Sequence, residues 1–339
     1  RDLIMKKILL TGGAGYIGSH VCVELLKKGY EVVILDNLSN SSKHVLTQIE
    51  KITGKEVIFY ENDLRDQYNL LKIFKKHSFD NVIHFAGLKS LNDSLNRPLE
   101  YYNNNVVGAI TLLEVMSQVN CKSIIFSSSA SVYGSVNISP ISEACPLLTS
   151  NPYAQSKLVV ENLLQDVFIS DKEWNISILR YFNPVGAHQS GLIGESPSGV
   201  PNNLFPYISR VAIGRLEKLT IFGNDYDTHD GTGVRDYIHV VDLAKGHLKA
   251  IEASIDDTKV LVVNLGTGKG YSVLDVVREF EIASNQNIEY EFAARRKGDV
   301  SECYADPSLA FKLLNWQAEY KLHQMCQDAW NWEKASFNS

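Results

Sequence analysis

Two residues of this chain, Tyr153 and Lys157, have side chains that can exchange a proton with an alcohol, and they lie four residues apart. On a helix, this spacing puts both side chains on one face. A phenol has a pKa of about 10 and is a weak base at neutral pH. A nearby ammonium favours the phenolate, which can then accept a proton. Ser129 ends a predicted strand upstream, where its hydroxyl could hydrogen-bond the reacting oxygen.

The second chemical feature is the glycine-rich segment 11–18, which reads TGGAGYIG. It follows an apolar strand and opens a helix, with the Gly-x-Gly-x-x-Gly spacing that binds dinucleotides. Glycines let the backbone approach a pyrophosphate, which then lies at the helix N-terminus. Asp36 ends the next predicted strand, where a carboxylate can bind a ribose 2′-hydroxyl and would repel a 2′-phosphate. These features predict NAD rather than NADP, and with Tyr153 they indicate a redox enzyme acting on an alcohol.

The elements that must position these groups alternate between strands and helices in the first half of the chain. We predict strands at 7–11, 31–36, 57–60, 81–85, 123–126 and 175–180. Helices are predicted from about Ile17 to Gly29 and near 66–76, 98–119 and 154–169. Continuous apolar strands separated by helices are typical of a parallel sheet covered on both faces. The predicted fold class is therefore α/β, with a doubly wound Rossmann sheet.

The composition of the chain changes after Asn183. Residues 184–203 are rich in Gly, Pro, Ser and Asn, and residues 223–233 contain Asp225, Asp227, Asp230-Gly231 and Gly233, so both are predicted to be loops. Shorter strand and helix patterns follow. We therefore predict a Rossmann NAD-binding domain at 5–185 and a smaller C-terminal α/β substrate-binding domain at 186–339.

Composition and charge argue against several classes of protein, including nucleic-acid-binding, membrane and disulfide-rich proteins. The 339 residues are 45% hydrophobic and carry a formal net charge of −6, so no overall basic field favours nucleic acid or an anionic membrane. No apolar run approaches the roughly 18 residues of a membrane span, and no signal peptide is recognisable. The five cysteines are scattered and odd in number, which favours reduced thiols. We expect a cytoplasmic protein.

Several longer stretches carry a resemblance to a known family. They read FAGLK at 85–89, SSSASVYG at 127–134, NPYAQSK at 151–157, YFNPVGAH at 181–188, PNNLFPYI at 201–208 and GTGVRDYIHV at 231–240, in addition to TGGAGYIG. With them the chain resembles the UDP-glucose 4-epimerase family of extended short-chain dehydrogenases/reductases. The resemblance runs from about Lys6 to Trp332, and the Ser, Tyr and Lys set shows no departure from the family pattern.

The resemblance implies an isomerase that interconverts UDP-glucose and UDP-galactose at C4, a reaction of galactose metabolism. Tyr153 would take the proton of the sugar 4-hydroxyl while hydride passes from C4 to tightly bound NAD. The 4-keto sugar would then turn over and take the hydride back on its other face. Ser129 would orient the 4-oxygen, and Lys157 would tune Tyr153 and bind the nicotinamide ribose. A homodimer is also implied, through the helices near 98–119 and 154–169, although apolar stripes can equally form intrachain core.

The resemblance also implies the residues that line each ligand. Besides the catalytic three, those for NAD are Gly12, Gly15, Tyr16, Ile17, Gly18, Asp36, Asn37, Leu38, Ser39, Asn40, Ser41, Asp63, Leu64, Phe85, Ala86, Gly87, Lys89, Asn104, Tyr181 and Phe182. Those for the UDP-sugar are Lys89, Ser129, Tyr153, Asn183, Asn203, Leu204, Phe222, Arg235, Arg296, Asp299 and Cys303. The two arginines would bring local positive charge to a pyrophosphate. No metal ligand is predicted.

In the family that the chain resembles, the residue at the position of Cys303 flanks the 2-substituent of the sugar. A small side chain there leaves room for an acetamido group that a tyrosine would fill, so we expect UDP-GlcNAc and UDP-GalNAc to be substrates as well. The alternative is an inert core cysteine.

Other functions remain open at this point. A sugar-nucleotide 4,6-dehydratase shares the fold, but it needs an acidic pair beside Ser129, where this chain has Ser128 and Ala130. A net NAD-dependent dehydrogenase would exchange free NAD during turnover. A non-catalytic NAD-sensing protein would often lack the Tyr or the Lys. The nine histidines show no HExxH spacing, which argues against a zinc hydrolase, and His84 and His239 are expected to be core groups.

Overall fold

The structure is a computed structural model that describes residues 6–135, 137–197, 199–254, 259–296 and 298–337. The outer limits of the two predicted domains, residue 5 and residues 338–339, lie outside the described residues. The strands are β1 (Lys7–Thr11), β2 (Glu31–Asp36), β3 (Ile58–Glu61), β4 (Asn81–His84), β5 (Ser123–Ser129), β6 (Asn175–Tyr181), β7 (Asn183–Val185), β8 (Leu219–Phe222), β9 (Val234–His239), β10 (Val260–Leu265), β11 (Gly270–Ser272), β12 (Tyr290–Ala293) and β13 (Glu302–Cys303).

The α-helices connect these strands and are interrupted once by a π-helical turn at Asn103–Val107 and once by a 3₁₀ turn at Ala130–Tyr133. They are α1 (Tyr16–Lys28), α2 (His44–Thr53), α3 (Gln67–His77), α4 (Leu91–Asn96), α5 (Pro98–Tyr102), α6 (Gly108–Gln118), α7 (Pro152–Ser170), α8 (Leu204–Ala212), α9 (Val240–Ala253), α10 (Val273–Ser284), α11 (Ser308–Leu314) and α12 (Leu322–Phe337). No helix among the described residues is long and apolar enough to cross a membrane.

A seven-stranded sheet in the order β10-β6-β5-β4-β1-β2-β3 forms the centre of the molecule, and all its pairs are parallel. Successive strand residues point to opposite faces. In β1, Ile8 and Leu10 therefore join one apolar core with α1, α2 and α9, whereas Leu9 joins another with α3, α6 and α7. This arrangement confirms the predicted doubly wound α/β fold.

The strand order determines where the crevice lies along the edge of the sheet formed by the carboxyl ends of the strands. The chain moves outward from β1 through β2 to β3, and then resumes at β4 on the other side of β1. In such sheets the loops after β1 and β4 diverge and leave a crevice at the carboxyl ends of the strands. The glycine-rich segment follows β1, and the predicted site residue Phe85 follows β4, so both lie at this crevice.

The second half of the chain builds smaller sheets over this edge. Strand β9 pairs with β7, β11 and β13, and β8 pairs with β12. Their apolar core includes Phe205, Phe280 and Trp330 from α8, α10 and α12. The chain also returns to the large sheet, since β10 adds its edge strand beside β6 and α9 packs against α1.

Some predicted elements differ from the structure. The strand predicted at 123–126 continues to Ser129, because its three serines keep pairing with β6. The helix predicted near 98–119 is divided into α5, the π turn and α6. The segment predicted as a loop from 184 begins inside β7. Helix α2 was not predicted, and its amphipathic face packs Ile49 into the core.

Candidate active site

The glycine-rich turn joins β1 to α1 and leaves little space for side chains. Gly12 has a φ of +70°, and a Cβ there would lie 2.6 Å from the backbone nitrogen of Ala86, in the loop after β4. A Cβ on Gly18 would lie 2.6 Å from the carbonyl oxygen of Gly12. The sequence therefore folds into a turn in which helix, turn and neighbouring loop touch through backbone atoms, which is the geometry needed for close approach of a phosphate.

Asp36 lies beside this turn. One carboxylate oxygen accepts the backbone N–H of Ala14 at 3.1 Å, and the other accepts from Leu38 N and Ser41 Oγ at 2.9 Å each. Asp36, the residue predicted to bind the ribose, is thus held at the glycine turn by the residues around it. Leu38 has a φ of +56°, which folds the segment 37–41 back toward Asp36.

The loops after β3 and β4 meet the same crevice. The Asn37 side chain donates to Asp63 at 3.2 Å, and Arg65 holds the same carboxylate through two bonds of 2.8 and 2.7 Å. These bonds, chiefly those from Arg65, hold the pKa of Asp63 well below its usual range. Leu64 is buried and packs against the position of Gly108. Of these predicted residues, Asp63 is therefore in contact with Asn37, and Leu64 lies beside Gly108 at the start of α6.

The sequence analysis missed Asn105, which fixes the loop after β4. Its amide oxygen accepts the backbone N–H of Leu88 at 2.8 Å, and its amide nitrogen donates to the Leu88 carbonyl and to Ser156 Oγ. Its neighbour Asn104, which was predicted to bind NAD, donates to the same amide oxygen at 3.0 Å. Asn105 is buried in the π turn, and a run of three asparagines in an apolar helix was its only sequence signal.

Three consecutive serines end β5, and each has a different surrounding. Ser127 and Ser128 are buried and hydrogen-bonded to Tyr181 and to Glu161. Ser129 is partly exposed and caps the 3₁₀ turn, because its Oγ accepts the backbone N–H of Ser131 at 3.2 Å. Of the three hydroxyls, the one predicted to be catalytic is therefore the one that faces the crevice.

Helix α7 carries the other two catalytic candidates. It begins as its sequence predicts, with Asn151 accepting the backbone N–H of Ala154 at 2.9 Å and Pro152 in the first turn. Tyr153 and Lys157 follow one turn apart. The Lys157 ammonium donates to the carbonyl oxygen of Ser127 at 2.8 Å and lies 4.9 Å from the centre of the Phe126 ring. Its hydrogen bond goes to the end of β5 rather than to the phenol.

Burial dominates the electrostatics of this pair. Loss of solvent lowers the pKa of Lys157 to about 8, and the nearby Glu161 carboxylate opposes that change. Burial raises the pKa of Tyr153, while its hydrogen bond with Ser129 acts in the other direction. The phenol thus keeps its proton at neutral pH in the protein alone. A further positive charge brought next to the phenol would favour the phenolate.

Besides Lys89, Ser129 and Tyr153, the residues predicted for the sugar nucleotide come from the chain after β6. Arg235 in β9 is paired with Cys303 in β13, and Cys303 packs against a buried apolar cluster that includes Phe182. The Arg296 guanidinium lies 5.0 Å from the centre of the Phe222 ring and donates to Asp299 at 2.9 Å. These residues form two neighbouring groups, one around β9 and one around the ends of β8 and β12.

Glu195 links two other predicted residues that lie far apart in sequence. One of its carboxylate oxygens accepts from the Lys89 ammonium at 2.9 Å and from the Asn203 amide at 2.8 Å. Its backbone carbonyl accepts from the indole of Trp332 at 3.1 Å. Lys89 follows β4, and Asn203 precedes α8, so Glu195 ties the two halves of the chain together. Nothing in its loop-like sequence surroundings predicted this role.

Several other predicted site residues lie at the first or last position of a strand or helix. Tyr181 ends β6 with its hydroxyl bonded to Ser127, and Asn183 starts β7 opposite Tyr237. Leu204 is the first residue of α8. The Tyr16 hydroxyl donates to the carbonyl of Gly186 at 2.6 Å, so this residue at the start of α1 contacts the second half of the chain.

The histidines expected to be core groups are buried. His84 hydrogen-bonds Thr11 Oγ1 at 2.7 Å, and His239 bonds Asp328 at 3.1 Å. Among the described residues, one group at the start of α10 brings three possible metal ligands within 4.8 Å of each other, namely His229, Asp230 and Asp275. The two carboxylates there already accept hydrogen bonds from Ser272, so the group serves as a helix cap.

Comparison with known proteins places this geometry in a family. A family model described as GDP-mannose 4,6 dehydratase matches residues 9–329. The UDP-glucose 4-epimerase of Bacillus subtilis is 54% identical over 331 residues, which cover 98% of each chain. That of Haemophilus influenzae is 57% identical over 328 residues, with 96% of this chain and 97% of the other covered.

Solved structures agree with this placement. The crystal structure of UDP-glucose 4-epimerase from Bifidobacterium longum in complex with NAD+ and UDP superposes with a TM-score of 0.95. It is 51% identical in sequence, and the match covers 98% of this chain and 99% of the other. On these matches, which span both halves of the molecule, the chain belongs to the UDP-glucose 4-epimerase family.

Proposed function

We propose that this chain catalyses the reversible interconversion of UDP-glucose and UDP-galactose at C4, with NAD as a bound cofactor. The observation that carries the proposal is the arrangement of Ser129, Tyr153 and Lys157 at the same sheet edge as the glycine turn. Relatives more than half identical over nearly the whole chain carry the same activity in their names.

The residues at this edge fit a dinucleotide. The turn around Gly12 and Gly18 brings backbone atoms so close together that only glycine fits there, and the positive end of α1 faces the position of a pyrophosphate. Asp36 retains acceptor capacity for a ribose hydroxyl, since a carboxylate offers about four lone-pair sites and three are used. NAD bound here would supply a hydride acceptor that returns the hydride within the same turnover.

The protein's own groups would manage the proton. Tyr153 would accept the proton of the sugar 4-hydroxyl and give it back after the sugar has turned over. The protonated Lys157 and the positive nicotinamide would favour the phenolate that this requires. Ser129 would donate a hydrogen bond to the 4-oxygen, since its hydroxyl faces the crevice.

The second half of the chain would hold the UDP-sugar. Arg235 and Arg296 would neutralise the pyrophosphate, and Phe222, beside Arg296, would pack against the nucleotide. We also propose that residues 5–185 bind the cofactor and 186–339 the substrate, with α9 and β10 returning to the large sheet. The five cysteines are all free thiols, which fits the proposed cytoplasmic location.

Water elimination, the reaction in the name of the matching family model, is not supported at this site. Besides the tyrosine, a 4,6-elimination needs a base that removes the proton on C5 and an acid that protonates the leaving 6-hydroxyl. The neighbours of Ser129 are Ala130 and Ser128, and the Ser128 hydroxyl is already bonded to the buried Glu161.

A first experiment tests the proposed function. Purified protein is incubated with UDP-galactose, without added NAD, and the formation of UDP-glucose is followed. Conversion is expected, because the cofactor would be regenerated in each turnover and retained. Absence of conversion even after NAD is supplied would contradict the proposal and favour a dehydrogenase or a non-catalytic NAD-binding protein.

We further propose that UDP-GlcNAc and UDP-GalNAc are substrates. Cys303 has a small side chain, packs against the buried cluster that includes Phe182 and lies opposite Arg235 in the β9–β13 pairing, where a larger residue would occupy the space of an acetamido group. Cys303→Tyr is expected to lower N-acetylhexosamine turnover at least tenfold, since overfilling a packed site is costly. Turnover of the glucose pair by the same variant is the internal control. Equal retention of both activities would contradict the steric explanation.

A homodimer is proposed as the assembly. The outer faces of the helices expected to pair expose apolar side chains, notably Leu99 at 84%, Val107 at 43% and Ile169 at 68% of their surface, and such a patch favours association. Leu99→Asp is expected to yield monomers in sedimentation velocity. Leu313→Asp, at a residue that is 47% exposed on α11, is the matched control and should leave the dimer intact.

A further inference from the structure

Glu161 continues the helix face that bears the catalytic pair. It follows Tyr153 by eight residues and Lys157 by four, so all three side chains lie along one side of α7. The Glu161 side chain is fully buried, in the layer between α7 and the large sheet. Carboxylates are almost never this deeply buried unless they are paired, and neither the proposed chemistry nor ligand binding uses this one.

Its partners come from the two strands behind the active site. Arg180 in β6 donates to both carboxylate oxygens, from Nε at 3.1 and 3.2 Å and from Nη2 at 2.6 Å. Ser128 in β5 donates through its hydroxyl. Arg180 is itself buried, and its Nη1 donates to the Tyr133 hydroxyl at 3.1 Å. The two charges are therefore satisfied by directed bonds, as buried ion pairs must be.

These bonds fix the register of the catalytic elements. Ser128 stands directly opposite Arg180 in the β5–β6 pairing, one residue before Ser129, which stands opposite Tyr181. A single carboxylate on α7 thus holds the two strands at the level where Ser129 leaves the sheet. The Lys157 ammonium is bonded to the carbonyl of Ser127 on the same strand, so helix and strand are joined on both sides of Ser129.

The charges around Lys157 make Glu161 its counter-ion. His84 from β4 and Glu161 from α7 interact electrostatically with Lys157, and Tyr153 precedes it by one turn of α7. Arg180, Tyr181 and Tyr133 lie one contact further away, bonded to Glu161, to Ser127 and to Arg180. Neighbouring β5 presents the Phe126 ring and the Ser127 carbonyl, and the π turn presents the neutral Asn105. Among these groups Glu161 supplies the negative charge, and Arg180, bonded to both of its carboxylate oxygens, partly screens it.

We propose that Glu161 is a positioning residue of the epimerase reaction, which joins β5 and β6 to α7 through Arg180 and keeps the buried Lys157 charged. The inference rests on the proposed function, since it assigns the proton transfer to Tyr153 with Lys157 beside it. It also explains why a costly buried ion pair lies directly behind the three catalytic side chains, where an apolar contact of equal volume could otherwise hold the layers together.

The test is a pair of substitutions with opposite electrostatic effects. Glu161→Gln removes the negative charge and leaves Arg180, so both Lys157 and Tyr153 lose protons more readily. Arg180→Met leaves Glu161 unscreened, so both hold their protons more firmly. The pH dependence of kcat for UDP-galactose is therefore expected to move to lower pH by about one unit in the first variant and to higher pH in the second. The direction does not depend on which residue governs which limb of the profile.

A merely structural role predicts a different outcome. Loss of packing would reduce activity in both variants without moving their profiles in opposite directions. Folding is followed by the melting temperature and by the NAD content after acid extraction. Unmoved profiles, or shifts in one direction only, in folded variants that retain NAD would overturn the proposal.

The double variant Glu161→Gln/Arg180→Met covers the case in which a lone buried charge prevents folding. It leaves no unpaired charge, and we expect it to fold with its profile between those of the two single variants and its kcat reduced at least tenfold. A wild-type kcat and profile in the double variant would refute the role of the pair. Wild-type protein assayed alongside separates this result from a failure of the proposed function, because an inactive wild type would reject the epimerase assignment itself.

Discussion

At the scale of single residues, the chemistry of the site depends on which polar side chains are already hydrogen-bonded within the protein. Ser127 and Ser128 have their hydroxyls bonded inside the protein, whereas Ser129 faces the crevice. Burial alone raises the pKa of Tyr153 and lowers that of Lys157. A positive charge beside Tyr153 would favour its phenolate, and the proposed NAD would bring such a charge to the site.

The serines allow a matched comparison. Ser129→Ala is expected to lower kcat for UDP-galactose about 100-fold, because it removes a hydrogen-bond donor aimed at the reacting oxygen. Ser127→Ala is the control, since it removes a neighbouring hydroxyl that is bonded to Tyr181, and it should lower thermal stability more than kcat. Steady-state kinetics of both variants decide the point, and equal losses of kcat would contradict the assignment of Ser129.

At the scale of elements, the turn between β1 and α1 and the start of α7 position the chemistry. Both follow from local sequence, through glycines in the first case and the Asn151-Pro152 start in the second. The contacts that hold these elements to their neighbours come from distant residues. Ala86 touches Gly12, Asn105 fixes the loop after β4, and Glu161 joins α7 to two strands.

The turn gives a prediction about cofactor retention. In Gly18→Ala the added methyl would lie 2.6 Å from the carbonyl oxygen of Gly12, so the turn must open and the phosphate site must widen. We expect the purified variant to contain much less NAD, as measured by acid extraction and enzymatic assay. Gly108→Ala is the control, because its methyl would meet Leu64 at an ordinary 3.4 Å. Full NAD content in Gly18→Ala would contradict the role of the turn.

At the scale of the whole molecule, the two halves of the chain share their cores and their contacts. Strand β10 and helix α9 return to the large sheet, and Glu195 bonds Lys89 of one half to Asn203 of the other.

The molecule also buries several histidines. Burial lowers the pKa of His20 and His84 to about 3, and that of His247 to about 4.

These histidines predict the pH dependence of stability. In the unfolded chain they take up protons below about pH 6.5, whereas in the folded protein they stay neutral until about pH 4 or lower. The unfolded state thus binds more protons in this window, so stability falls as the pH drops from about 6.5, by about 1.4 kcal/mol per unit for each histidine.

Melting temperatures between pH 7.5 and 5.5 measure this effect. We expect a fall of several degrees in the wild type and a shallower slope in His247→Gln, because one neutral buried histidine is removed. His323→Gln is the control, since His323 is exposed, and its slope should match the wild type. A melting temperature that does not change over this range would contradict the prediction.

The sequence predicted the first half of the fold well, because buried parallel strands are continuous apolar runs that are visible without any tertiary information. It also predicted that Tyr153 and Lys157 lie on one helix and that the glycine turn joins a strand to a helix, because both patterns are local. It could not predict that β10 joins the large sheet, since a short apolar strand does not reveal its partner. Glu161 and Glu195 were missed because their roles depend on contacts with residues far away in sequence.

The central claim is that the hydride removed from C4 returns to the same sugar within one active site. Turnover of UDP-galactose deuterated at C4, in the presence of added unlabelled NAD, tests it most directly. The proposed reaction predicts UDP-glucose that retains the deuterium at C4 in full, with none in the free cofactor or in water. Transfer of deuterium to the added NAD, or its loss to solvent, would contradict the assignment and indicate a net dehydrogenase.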